Sequence, residues 1–185
     1  MLHDLHNANL SAVKIGEMNS GQTRTMILDE DGVKRKIKRM ALEIAEQNAG
    51  EKEIVLAGIV GNGETVARCV AAELKNLASI ATTLITVQLN KRNLAEVDIE
   101  PNLALANKII IIADDVANTG KTMLYALKPF LNSSPKKIQT LVLVERSHKL
   151  FPVHTDYTGL SIATTLQEHI TVEREDEKIT GAWLY

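Results

Sequence analysis

Residues 109 to 122 read Ile-Ile-Ile-Ile-Ala-Asp-Asp-Val-Ala-Asn-Thr-Gly-Lys-Thr: four β-branched residues that run into two adjacent carboxylates and then a small, polar turn. A strand with no polar position has no solvent face, so it belongs inside a sheet covered on both sides. That points to an α/β fold with a doubly wound, mostly parallel sheet flanked by helices. Ligands of such sheets bind beyond the carboxyl ends of the strands, where Asp114 and Asp115 stand. The turn Ala117, Asn118, Thr119, Gly120, Lys121, Thr122 then opens a helix whose first amides have no intrahelical acceptor. Those amides, the helix dipole, the close approach allowed by Gly120 and the hydroxyls of Thr119 and Thr122 suit a phosphate, and Lys121 adds a cation. Two acceptor-only carboxylates match two vicinal hydroxyls. The contiguous segment therefore reads as a cradle for a ribose 5-phosphate.

Other chemistries also place acids after an apolar strand. An Asp pair can simply cap a helix. A receiver-type phosphoacceptor site has no use for a Thr-Gly-Lys-Thr turn straight after its acids, and phosphatases of the haloacid dehalogenase kind need a residue between them. A Walker A loop is excluded, because Asp115 rather than a glycine stands five residues before Gly120.

With 185 residues the chain has length for one well-buried domain. Hydrophobic residues at 45% and charged residues at 24% place it among globular rather than disordered proteins. No apolar run approaches the ~20 residues of a membrane span, and the amino-terminal stretch lacks a secretory apolar core. The expected compartment is the cytoplasm. A lone cysteine, Cys69, agrees with a reducing environment and reads as a core thiol. The net charge of -2 gives no global attraction to nucleic acid.

Residues 1–25 are poor in apolar groups and read as an extension to a domain spanning 26–185. Asp29 and Asp31 precede Val33, Ile37, Met40, Ala41 and Ile44 at helical spacing, with Gly50 in the place of a C-terminal cap. Ile54 to Val60 and Ala81 to Leu89 read as strands separated by a helix, and Asn90 to Asn107 as an irregular, functional or mobile connection. Met123 to Leu131 continues the helix after the acidic motif, and Ile138 to Val144 is another strand. Val153 to Tyr157, Ile170 to Glu173 and Ala182 to Tyr185 look like extended pieces of a small hood. Val60-Gly61-Asn62-Gly63 is a second strand-to-helix turn at the same sheet edge, offering either a tight bend or more free amides for an anion.

The acidic motif resembles the phosphoribosyl pyrophosphate site of type I phosphoribosyltransferases. Ile27 to Glu30, Ile54 to Gly63, Lys108 to Leu127 and Leu143 to Gly159 extend the resemblance to the bifunctional pyrimidine-operon attenuators that are also uracil phosphoribosyltransferases. The resemblance implies transfer of ribose 5-phosphate to a nucleobase, uracil favoured, with release of pyrophosphate. In that scheme Asp114 and Asp115 hold the ribose, and Ala117 to Thr122 anchor its phosphate. Val60, Gly61, Asn62 and Gly63 face the pyrophosphate, while Lys91 and Arg92 close over the substrate as catalytic groups. Glu145 and Arg146 border the base. Val60 and Asn62 stand where the family carries Lys and Arg, which removes charge-assisted contacts to the leaving group. The resemblance further implies Mg²⁺ held mainly by substrate with no direct protein cage, a homo-dimer or homo-tetramer, and no membrane. The alternative it raises is a non-catalytic, nucleotide-sensing RNA regulator of pyrimidine genes. Lys34, Arg35, Lys36, Lys38, Arg39, His148 and Lys149 would supply its basic surface, although Leu160 replaces a family lysine.

Overall fold

The computed structural model describes residues 15–16, 24–90, 93–165 and 167–185. In chain order these form β1 (Ile15–Gly16), β2 (Arg24–Asp29), α1 (Glu30–Gln47), β3 (Glu53–Ile59), α2 (Asn62–Leu77), β4 (Ala81–Asn90) and β5 (Asn93–Glu100). There follow β6 (Ile109–Ala117), α3 (Lys121–Ala126), α4 (Lys128–Leu131), β7 (Lys137–Arg146), β8 (Tyr157–Ile162), β9 (Ile170–Glu175) and β10 (Lys178–Leu184).

A six-stranded sheet runs in the order β5-β4-β3-β6-β7-β8, all parallel except β5. The isoleucine run lies near its middle, covered on both faces. Ile109 and Ile111 join a core with Val33, Ile37 and Met40 of α1 and Val66 and Val70 of α2, whereas Ile110 and Ile112 meet Met123, Ala126 and Phe130 on the opposite side. All four isoleucines are at most 2% exposed, and burying each contributes about 1.5–3 kcal/mol. The second sheet, β1-β2-β10-β9, is antiparallel and forms a hood over one end of the first.

Helix α1 starts where Asp29 caps it, its carboxylate accepting from the Gly32 amide at 2.7 Å, and Glu30 and Asp31 complement the dipole. It ends at Gln47, earlier than Gly50 implies. The buried Asn48 supplies the C-cap, and Gly50, at φ 88°, serves the turn that follows.

Four other expectations need correcting. The connection from Asn90 to Asn107 is not irregular throughout: Val97 and Ile99 alternate with Glu96, Asp98 and Glu100, and this period of two makes β5 pair with β4 as a hairpin. The helix predicted over Met123–Leu131 is broken at Leu127, because Pro129 has no amide to offer the Tyr125 carbonyl, so α3 and α4 are separate short helices. Only Tyr157 of the predicted segment Val153–Tyr157 is extended in a ladder, and β8 joins the main sheet beside β7 rather than the hood. Ile15 and Gly16, inside the supposed extension, pair with Thr25 and Arg24.

Candidate functional site

Strand order reverses between β3 and β6: β3 leads outward to β4, and β6 leads outward to β7. A crevice opens at such a reversal, beyond the strand ends. The two turns singled out in the sequence flank it, Val60–Gly63 after β3 and Asn118–Gly120 after β6.

The acids do not follow the strand but lie within it. β6 continues to Ala117, and Asp114 still pairs with Val142 of β7. On the other side the ladder with β3 ends at Ala113, leaving Asp114 and Asp115 half-buried at the mouth of the crevice. Each carboxylate is held by the amide of the next residue: Asp115 N–H donates to Asp114 Oδ1 and Val116 N–H to Asp115 Oδ1, both at 2.9 Å. The turn is shaped by Gly120 at φ 80°, a conformation that costs an L side chain strain, and Lys121 N–H donates to Thr119 Oγ1 at 3.3 Å. Asp114, Val116 to Gly120, Thr122 and Met123 line a small, partly open pocket of about 60 Å³.

The opposite turn is tied to its surroundings. Val60 N–H donates to the Val87 carbonyl at 3.0 Å. Gly61 N–H donates to Glu64 Oε2 at 2.9 Å, and Thr86 Oγ1 donates to Glu64 Oε1 at 2.8 Å. Asn62 Nδ2 donates both to Asp115 Oδ2 at 2.8 Å and to the Val172 carbonyl of β9 at 2.9 Å, joining acid pair, turn and hood. Gly63 is buried where a Cβ would lie 2.7 Å from the Ala113 carbonyl oxygen, so this glycine lets α2 press against β6.

Glu145 and Arg146, the residues expected beside a base, are spent on other partners. The Glu145 carboxylate pairs with Lys149 and accepts from Thr155 Oγ1 at 2.6 Å and Thr158 Oγ1 at 3.2 Å. Burial pushes the Lys149 ammonium below the ordinary lysine range. Arg146 donates to the Thr165 carbonyl at 2.7 Å. The Asn118–Gly120 turn adjoins the loop after β7: the amides of Leu150 and Phe151 both donate to the Thr119 carbonyl at 3.0 Å. This brings Phe151 against Gly120 and into a shallow depression shared with Ser147, Lys149, His154 and Ser161. Phe151 escaped the sequence reading although it is one of only two phenylalanines. Glu64 escaped it too, and its signal was local: an acid at the third helical position of α2.

Lys91 and Arg92 lie outside the described residues. Among the described residues no group of three or more His, Cys, Asp or Glu side chains gathers as a metal cage, and no helix is long and apolar enough to cross a membrane. The basic run of α1 is partly neutralised, Lys34 by Glu30 at 2.8 Å and Asp31 at 3.6 Å, Arg39 by Glu43. Arg39 also donates to the carbonyls of Thr158 and Gly159.

The phosphoribosyl transferase domain model matches residues 23–178. The chain belongs to this family. Among phosphoribosyl transferase relatives, a bifunctional protein PyrR of Clostridium novyi is 33% identical over 159 residues, 80% of this chain and 89% of that protein. A bifunctional protein PyrR of Pelotomaculum thermopropionicum is 30% identical, covering 83% of this chain and 90% of its own. In three dimensions the chain is similar to the hypoxanthine phosphoribosyltransferase of Trypanosoma cruzi, with a TM-score of 0.71 and 15% identity over 84% of this chain and 94% of that one. A hypoxanthine-guanine phosphoribosyltransferase of Bacillus anthracis gives a TM-score of 0.67 at 18% identity, over 84% of this chain and 96% of that one. These two establish the phosphoribosyltransferase fold, a mostly parallel central sheet flanked by helices with an added antiparallel sheet.

Proposed function

We propose that this phosphoribosyltransferase moves ribose 5-phosphate from phosphoribosyl pyrophosphate to a ring nitrogen of a nucleobase, uracil foremost. The observation that carries this is the acid pair and the anion turn on one strand end, at the point where strand order reverses. In the reaction the bond from the anomeric carbon to the pyrophosphate oxygen breaks with its electron pair leaving on pyrophosphate. A base nitrogen bonds to that carbon and sheds its proton. Little covalent work falls to the protein, so positioning and electrostatics carry the rate. Asp114 and Asp115 accept from the ribose hydroxyls. The amides from Ala117 to Thr122, with Lys121, anchor the 5-phosphate. Phe151, rather than Glu145 or Arg146, offers the apolar surface nearest the phosphate turn for a planar base.

The oxygen-only donors at the crevice mouth fit Mg²⁺, which keeps its waters and binds largely through substrate oxygens. When bound it would neutralise pyrophosphate charge. Uracil is favoured because the sequence resembles the pyrimidine attenuators and the two relatives named above are PyrR proteins. The same kinship supports a homo-oligomer acting in the cytoplasm.

Calorimetric titration of phosphoribosyl pyrophosphate with Mg²⁺ tests the site. Asp114→Asn together with Asp115→Asn is expected to weaken binding by roughly tenfold to a hundredfold, the loss of two charge-assisted hydrogen bonds. Equal affinity in both proteins would refute the assignment. Pyrophosphate release measured with uracil, hypoxanthine, guanine, adenine and orotate in turn is expected to be fastest with uracil; silence with all five would refute the reaction.

A further inference from the structure

Asp115 already has a donor on each carboxylate oxygen. Its Oδ1 accepts from the Val116 amide at 2.9 Å, and its Oδ2 accepts from Asn62 Nδ2 at 2.8 Å. The second hydrogen of the same Asn62 amide goes to the Val172 carbonyl at 2.9 Å. A carboxylate and a backbone carbonyl only accept, so it is the nitrogen of the Asn62 amide, and not its oxygen, that faces both. The backbone beside this donor is fixed as well: a Cβ on Gly63 would come within 2.7 Å of the Ala113 carbonyl oxygen and 3.2 Å of the Asp114 Cα. An N–H of the chain thus gives Asp115 the kind of bond that a sugar hydroxyl would give it.

A site built to bond a hydroxyl rejects the analogue that lacks it by about 10⁴-fold or more, because the site's own polar group is then left unpaired. At Asp115 that penalty has no source. A hydroxyl that is present competes with Asn62 for the carboxylate, and one hydrogen bond is exchanged for another. When the hydroxyl is missing, Asn62 keeps its bond and nothing is orphaned. We infer that Asn62 is a specificity-determining residue that stands in for a sugar hydroxyl, so that the cradle takes deoxyribose 5-phosphate ligands as well as ribose 5-phosphate ones. The hydroxyl it replaces is the one that Asp115 would bind. The inference rests on the ribose-phosphate reading above and widens the ligand class of that same site.

Two rival explanations make different predictions. If water satisfies Asp115 whenever a hydroxyl is missing, removing Asn62 changes no ratio between ligands. If Asn62 only ties the turn to β9, its removal weakens every ligand alike. The test is calorimetric titration of uridine monophosphate, its 2′-deoxy and 3′-deoxy analogues and ribose 5-phosphate against wild type, Asn62→Ala and Asn62→Leu. Leucine matches asparagine in size without its donor, so a loss of packing in Asn62→Ala does not decide the result. In wild type at least one deoxy analogue is expected to bind within about tenfold of uridine monophosphate. In both variants the penalty for that analogue, taken relative to uridine monophosphate, is expected to grow by at least about tenfold. A wild-type penalty above about tenfold for both analogues, or unchanged ratios in both variants, overturns the inference and leaves the cradle standing. Failure of uridine monophosphate and ribose 5-phosphate to bind any of the three proteins overturns the cradle, and the inference falls with it.

Discussion

Tyr157 is fully buried, and its hydroxyl accepts from Asn48 Nδ2 at 3.3 Å and donates to Gln47 Oε1 at 3.1 Å. Both partners have other bonds, Asn48 to the Ile44 carbonyl and Gln47 to Gln139. Tyr157→Phe should therefore destabilise the fold by only about 1 kcal/mol in denaturant melts, the net worth of one hydrogen bond. Burial raises the phenol above its ordinary value of 10.0. The unfolded chain then releases that proton first, so the stability tied to Tyr157 is complete below pH 10 and declines above it. Melting curves of the Phe variant should lack that alkaline decline. Single residues were unevenly legible in the sequence. Asp114 and Asp115 could be read because strand, acids and turn are contiguous. The partners of Glu145 were not legible, because Lys149, Thr155 and Thr158 meet it only once the β7–β8 connection folds back.

At the scale of elements, β6 and β5 mark the extremes of one sheet. β6 is bonded on both sides and buried on both faces, whereas β5, among the described residues, is an edge strand paired only with β4 and carrying exposed Glu96, Asp98 and Glu100. Native-state hydrogen exchange should show β6 amides opening only with global unfolding and β5 amides exchanging well before. Uniform protection across the two strands would contradict this picture. Elements with a continuous apolar signal, such as Ile54–Ile59 and Ile109–Ala113, were readable from the chain. β5 was not, because its alternation is short and half acidic, and the break at Leu127 was hidden by a helical pattern that runs through Pro129.

For the whole molecule, charge decides what large partners it can hold. With Lys34 and Arg39 engaged in ion pairs, Arg35, Lys36 and Lys38 are the cations of the α1 run outside such pairs among the described residues. About three phosphate contacts give a slope near -2 to -3 in log affinity against log salt. Filter binding of a structured pyrimidine-leader RNA should show no steeper dependence; a slope twice as large would demand a basic surface contributed by more than this helix. Sheet order and hood were only partly legible, since pairing between β2 and β10 joins opposite ends of the chain and leaves no local mark in the sequence.

Asn62 gives the molecule an optical use. One amide group spans Asp115, at the mouth of the crevice, and the Val172 carbonyl of β9. Val172 faces Ala182 across the ladder, and the neighbouring Trp183, the sole tryptophan, lies with the Arg24 guanidinium 4.0 Å from its ring centre. In the proposed reading, a sugar that took Asp115 for its hydroxyls would compete with Asn62 for that carboxylate. Tryptophan fluorescence of unlabelled protein is therefore expected to change when the proposed ligand is titrated in, and an unchanged spectrum would show that this chain of contacts does not respond.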